Sequence, residues 1–186
     1  MRLYTERLCL RPVSPDDSEP LFAIYGDPAT NQFNPAGPFP DREHANLVLS
    51  GWLAHWRQHG FGIWAISLRH EPYKTLGFGG ISRREVASET INNLGYRFAC
   101  DAWGQGLATE CARVILHHSF HQLNMPEVAA TVRQNHLASQ RVLQKIGLQL
   151  RGHIDDVPGA PASLLFRLRH EEWRVQTYEQ GAGPVA

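Results

Sequence analysis

The stretch Trp103, Gly104, Gln105, Gly106, Leu107, Ala108, Thr109, Glu110 constrains this chain more than any other, because it joins a strand to a helix through two glycines. Upstream, Ile91 to Phe98 reads as a strand. Downstream, Leu107, Ala108, Cys111, Ile115, Leu116 and Phe120 recur at roughly helical spacing. Glycine has no side chain to block a ligand, and the N–H groups of a first helical turn have no helical acceptors, so such a loop suits phosphate oxygens. The helix dipole adds about half a positive charge there. A tight turn without a ligand is the plainer reading of the same two glycines.

Two common phosphate-binding patterns are excluded. The three-glycine dinucleotide fingerprint fails because Thr109 replaces the third glycine, and the next strand, about Glu127 to Val132, ends at Arg133 and not at an acidic residue. A P-loop fails because no Gly-Lys-Ser/Thr follows. The only lysines, Lys74 and Lys145, lie far from the loop in sequence.

A second segment, Asn135 to Leu148 (NHLASQRVLQKIGL), follows that next strand. Together the two segments resemble the GNAT acetyltransferase superfamily, in which a Gln/Arg-x-x-Gly-x-Gly/Ala loop binds the pyrophosphate of acetyl-CoA and an Asn-led helix touches the pantetheine arm. The match is close at Gly106 and Ala108, whereas Trp103 stands where that family has Gln or Arg. That substitution is similar to the branch of ribosomal-protein N-terminal acetyltransferases (RimJ/RimL-like). So are Thr5 to Pro12 (TERLCLRP), the pair Gly95, Tyr96, and Glu171, Glu172, Trp173. The resemblance covers about residues 3 to 174. It implies an α/β fold with a mixed central β-sheet of about seven strands flanked by about four helices.

At 186 residues the chain suits one domain with a substantial core, residues 1–174 here, followed by a tail over 175–186 that is expected to be disordered, Gly181 to Ala186 above all. Apolar content of 42% and charged content of 19% fit a soluble globular protein, and no apolar run is long enough for a bilayer span. Formal charge balances, which gives no reason to expect nucleic acid or an anionic membrane as partner. Three cysteines, Cys9, Cys100 and Cys111, without close spacing, and an N-terminus unlike a signal peptide, point to the cytoplasm.

Along the chain, residues 3 to 13 alternate as a half-buried edge strand would. Ser14, Pro15, Asp16 and Asp17 open a helix that Gly26 and Pro28 stop, with the two aspartates at its positive end. Asn31 to Pro40 reads as a loop. Asp41 caps a second helix running to about His59, with Ala45, Val48, Leu49, Trp52, Leu53 and Trp56 inward and Gly60 at its end. Phe61 to Leu68 and Leu76 to Arg83 read as a hairpin turning through Glu71, Pro72 and Tyr73. After the Asn135 helix, Gln149 to Ile154 and Ala162 to Leu168 are two final strands.

Acetyl transfer to an amine needs a held donor, a neutral amine, stabilisation of the oxyanion and a proton for the thiolate. Donor contacts are expected from Gly104, Gln105, Gly106, Leu107, Ala108 and Thr109. The resemblance adds Phe98 and Ala99 beside the pantetheine, Asn135 on its arm, and an N–H of Tyr96, Arg97 or Phe98 facing the acetyl oxygen. Many family members use a tyrosine eight residues after the asparagine as acid, and here that position is Leu143. Ser139, four residues after Asn135 and hence on one helical face with it, resembles the serine assigned this role in the ribosomal-protein branch. A hydroxyl is a weak acid alone, so a water relay would assist it. Ser139 as a backbone-bonded structural residue and Asn135 as a helix cap are the competing readings.

Glu85 and Glu89, between two strands expected to border the acceptor cleft, are candidate bases, with solvated surface charge as the alternative. His44, Phe33, the proline-rich loop to Phe39, Trp52, Trp56 and Trp64 are candidate acceptor contacts, although aromatics at helical spacing such as Trp52 and Trp56 are core residues more often than pocket walls. His117, His118 and His121 bring no acidic or cysteine ligand with them, so no metal is expected. The acceptor is a primary amine of a small molecule or a protein N-terminus, and a homodimer is compatible with the family. A CoA-binding module with weak or lost turnover is the rival reading, because the tyrosine is replaced and no base is evident.

Overall fold

The computed structural model describes residues 1–181. Eight strands form one mixed sheet: β1 (Leu3–Tyr4), β2 (Leu8–Pro12), β3 (Ile63–Leu68), β4 (Glu71–Val86), β5 (Glu89–Phe98), β6 (Glu127–Val132), β7 (Gln149–Ile154) and β8 (Ser163–Arg169). Their order is β1-β2-β3-β4-β5-β6-β8-β7. Five helices accompany them: α1 (Ser18–Tyr25), α2 (Arg42–His59), α3 (Leu107–His121), α4 (Leu137–Lys145) and α5 (His170–Gly181). The described residues divide into two compact units, Met1–Ser82 with Leu94–Ile115, and Arg83–Asn93 with the described residues from Leu116 onward.

In the first unit, β1, β2, β3 and β4 pair antiparallel in sequence order. Val13, Leu21, Ile24, Ala45, Leu49, Ala65 and Phe78 form its core, with Tyr25, Phe39, Trp52 and Trp56 packed on it. α2 follows the sequence expectation closely. Asp41 accepts the His44 N–H at 2.8 Å, and Gly60, in the left-handed region at φ 72°, donates to the Trp56 carbonyl and ends the helix.

Four local expectations change here. Residues 3 to 13 are not one half-buried edge strand: β1 and β2 pair with each other, and β2, buried through Leu8, Cys9 and Leu10, lies between β1 and β3. Pro15 to Asp17 form a 3₁₀ turn, and α1 starts only at Ser18. Asp17 is not a solvated dipole charge: it is 1% exposed, accepts the Ser14 N–H at 2.7 Å and pairs with Arg11 at 2.6 Å. A carboxylate this buried needs such partners, and they draw it inward. Finally, β4 begins at Glu71, so Pro72 lies in a strand and not in a turn. It sits where the β3 pairing is irregular around Ser67 and Leu68, a place where a missing N–H costs no regular ladder bond.

In the second unit, β5 meets β6 in parallel at Asn93 and Ala129, and β8 runs antiparallel between β6 and β7. Val86, Ile91, Ala129, Ile154 and Leu165 form a core cluster. The turn between β4 and β5 is Ala87-Ser88, both at positive φ (47° and 69°), as a two-residue hairpin of primed type requires. α5 is an addition to the sequence reading, and it carries on through Val175 to Gly181, residues expected in the tail. Its anchor is Trp173, whose ring stacks on Phe120 at 5.3 Å and meets His117 and His170 at 5.8 Å each. Residues 182–186 lie outside the described part of the chain.

Candidate active site

The loop before α3 has the form an anion cradle needs. Gly104 and Gly106 adopt φ 72° and 76°, a region where other residues are strained. A Cβ added at Gly104 would meet no atom within 4 Å, so its glycine is required by backbone conformation and not by crowding. The first helical bond runs from the Glu110 N–H to the Gly106 carbonyl at 3.1 Å. Leu107, Ala108 and Thr109 therefore have N–H groups without helical acceptors at the positive end of a 15-residue helix. Gly104, Gln105 and Gly106 are exposed, while Leu107 is 2% exposed and roots the helix in the core.

What holds the loop in place comes from the other end of the sequence. Arg7 donates to the Gln105 carbonyl at 2.8 Å and, through Nε, to Glu110 Oε2 at 2.7 Å. Its backbone N–H donates to Glu110 Oε1 at 2.8 Å, and the Thr5 hydroxyl donates to the same oxygen. Burial opposes the Glu110 charge, but the bonds from Thr5 and Arg7 outweigh it and hold the carboxyl below its usual range. The Arg7 Nη2 lies 3.6 Å from where a Gly106 Cβ would be, beside the cradle. Sequence reasoning quoted Thr5, Arg7 and Glu110 as family-like residues without a role; nothing local in the sequence pairs residues 103 positions apart.

The strand leading to the loop is tightly seated. A Cβ on Gly77 would come within 2.7 Å of the Arg97 carbonyl, and one on Gly79 within 2.9 Å of the Tyr96 side chain. Ala99 donates to the Leu76 carbonyl at 2.8 Å, and the Trp103 indole donates to the Phe98 carbonyl at 3.0 Å. Phe98, Ala99 and Gly104 to Thr109 are thus gathered at one corner of the first unit. Trp103 is a structural tie there, with 47% of its surface still exposed.

The expected acceptor residues are dispersed within the same unit. Phe33 is half-buried, in the loop before α2. His44 is exposed, its ring edge-on to Phe39 at 4.6 Å. Trp64 is 1% exposed and packs edge-on against Trp56 at 4.8 Å, a core position with no side-chain surface for a ligand. Tyr25 gathers Phe39, Trp52 and Phe78 at 5.3, 5.8 and 6.1 Å. The Arg97 guanidinium lies 4.2 Å over the Tyr25 ring.

In the second unit, Asn135 is exposed in a turn before α4, not on the helix. The Gln140 side chain donates to the carbonyls of Arg133 and Gln134, holding this turn open, and α4 starts only at Leu137. The inference that Asn135 and Ser139 share a helical face therefore fails. Ser139 is half-buried on α4, and Leu143 is 1% exposed and cannot supply a proton. Glu85 accepts the Thr90 hydroxyl beside the hairpin turn. Glu89 bonds Arg167 at 2.7 Å, which lowers its pKa and makes it a weaker base. Among the described residues, no group of three or more His, Cys, Asp or Glu is placed to hold a metal.

Comparison with known proteins places these features in a family. Residues 7–149 match the model of the acetyltransferase (GNAT) domain. An uncharacterized N-acetyltransferase, p20, of Bacillus licheniformis is 26% identical over 88% of this chain and 90% of its own length. The crystal structure of an acetyltransferase from Agrobacterium tumefaciens superposes with a TM-score of 0.77 at 27% identity, over 91% of this chain and 94% of that one. RimL, a ribosomal L7/L12 alpha-N-protein acetyltransferase solved in complex with coenzyme A, shares the fold, with a TM-score of 0.72 at 14% identity over 92% of this chain and 99% of its own.

Proposed function

Because the chain belongs to the GNAT acetyltransferase family and is an acetyltransferase, we propose that it moves the acetyl group of acetyl-CoA to a primary amine by direct attack in a ternary complex. The amine belongs to a small molecule or a protein N-terminus. The observation that carries the reading is the cradle at Gly104–Gly106: open, left-handed backbone leading into a helix whose first N–H groups face no helical acceptor. These groups suit the pyrophosphate of the donor, and Arg7 adds a cation beside them. Phe98, Ala99, Ala108 and Thr109 complete the donor site, and Asn135 is assigned to the pantetheine arm by resemblance.

In the reaction, the amine nitrogen attacks the thioester carbon, the carbonyl oxygen takes up negative charge, the C–S bond breaks, and the thiolate accepts a proton. We assign the oxyanion to a backbone N–H of Tyr96, Arg97 or Phe98. Ser139, through water, is our source of the thiolate's proton, since Leu143 has none to give. Glu89 is held by Arg167, so Glu85 or bulk water receives the amine's proton. General-base help is typically worth about 10² to 10⁴ in rate, and positioning contributes more. Where free thiols and a reducing compartment go together, the cytoplasm suits the three free cysteines. Among the described residues, no helix is long and apolar enough to cross a membrane.

The test is a thermal-shift and calorimetric titration with acetyl-CoA, with NAD and ATP as controls. Selective stabilisation by acetyl-CoA is the expected result, and no response would sink the assignment. The buried Leu143 and the paired Glu89 favour one rival, a CoA-binding module that turns over slowly or not at all. Release of free thiol with a panel of amines separates the two.

A further inference from the structure

Arg97 differs from the other half-buried arginines of this chain. Five arginines are half-buried: Arg11, Arg84, Arg97, Arg133 and Arg167. Arg11 pairs with Asp17, Arg84 and Arg133 pair with Asp156, and Arg167 pairs with Glu89 and Glu127. Arg97 instead donates to the neutral amide oxygen of Asn31 at 2.8 Å and lies over the Tyr25 ring. It forms no ion pair among the described residues. Burial pushes Tyr25 further from ionisation, so the ring supplies no counter-charge.

Arg97 is also preorganised. Asn31 is 6% exposed and donates to the carbonyls of Tyr25 and Asp27 at 2.8 Å each, while Asn34 donates to its oxygen at 3.0 Å. One face of the guanidinium is covered by Tyr25 and one N–H is taken by Asn31, which leaves further in-plane donors of a rigid fork suited to a carboxylate. A partly desolvated cation with no counter-ion attracts an anion more strongly than one already neutralised. Its strand position matters too: Arg97 lies within the Tyr96 to Phe98 segment assigned to the acetyl oxygen, and the Tyr25 ring under its guanidinium is the one round which Phe39 and Trp52 gather.

We propose that Arg97 binds a carboxylate carried by the acceptor, so that the amine acetylated belongs to a compound that also bears a carboxylate. This deepens the acetyltransferase reading above and rests on it.

The experiment uses pairs of amines in which the carboxylate is remote enough to leave the amine's basicity nearly unchanged and is the only one present: glutamate α-amide with glutamine α-amide, 6-aminohexanoate with its carboxamide, and amidated dipeptides with Asp or Asn in second place. Thiol release is followed at saturating acetyl-CoA. The carboxylate member of at least one pair is expected to be favoured about tenfold to a hundredfold in kcat/KM, the range for one hydrogen-bonded charge. Preference in the free compounds identifies an amino-acid-like acceptor, and preference in the dipeptides alone an acidic peptide. Arg97→Gln should erase the preference while the KM for acetyl-CoA stays unchanged, and Arg97→Lys should retain part of it.

Equal rates within every pair, or an Arg97→Gln variant that slows both members alike, would overturn the proposal and leave Arg97 a clasp between loop and strand. Should Arg97→Gln fail to fold, the wild-type ratios and Arg97→Lys decide. Should no amine turn over, thermal shifts of the CoA-saturated protein by the N-acetylated pairs decide by the same criterion. Failure of the wild type to bind acetyl-CoA at all would count against the underlying activity, a result separate from the carboxylate preference.

Discussion

Arg7, in the bend between β1 and β2, and Arg97, near the end of β5, sit in the same unit and are handled in opposite ways. Arg7 is locked to Glu110 and to the loop carbonyl of Gln105, so much of its charge is used to fix the cradle's shape. Arg97 is held by an amide and an aromatic face, and its charge stays uncompensated within the described residues. The contrast shows how one residue type serves as a strut when a carboxylate meets it, and as a recognition group when none does.

Substitutions can break this contrast in order of size. Gly106→Glu places bulk and negative charge against the site of the pyrophosphate, in a backbone conformation that disfavours it. Calorimetry should show acetyl-CoA affinity falling at least about a hundredfold with the fold retained, and unchanged affinity would remove the cradle from the site. Ser139→Ala should lower kcat about tenfold to a hundredfold with little change in the Kd for acetyl-CoA. Equal effects on both would give Ser139 a positioning role.

Glu110→Gln tests the strut. It should cost about 1–2 kcal/mol in thermal or denaturant unfolding, because Arg7 is 43% exposed and can return to water. The pH dependence sharpens it. The folded carboxyl titrates below its usual value of 4.5, so its contribution is complete above the unfolded range and is lost as pH falls through the folded value. Wild-type stability should therefore decline more steeply on acidification than that of Glu110→Gln; parallel curves would refute the strut. The smallest effect is expected at Glu89→Gln, where an exposed ion pair is removed. Stability should change by less than about 1 kcal/mol, and the acid limb of the kcat profile should not move. A displaced limb would restore Glu89 as a base.

The local parts of this molecule were legible early. Asp41 and Gly60 bound α2 because cap chemistry acts within four residues, and the glycine loop declared itself between a strand and a helix. β6 and β7 keep the bounds read from the sequence. The errors have a shared cause. Asp17, expected at the positive end of a helix, is drawn inward by Arg11, and Asn135, expected on a helix, lies in a turn that the Gln140 side chain holds. α5 carries a weak sequence signal because it is mostly polar and two rings, His170 and Trp173, root it against Phe120.

By itself, then, the amino-acid sequence determined most of the succession of strands and helices, the glycine loop before α3, and the family to which they belong, since each depends on residues close together along the chain. Tertiary structure alone decided which charges meet: that Arg7 reaches Glu110 across 103 positions, that Leu143 is sealed from solvent, and that Arg97 has no carboxylate partner among the described residues. Ion pairing and desolvation depend on distance in space, and periodicity along the chain carries no record of it.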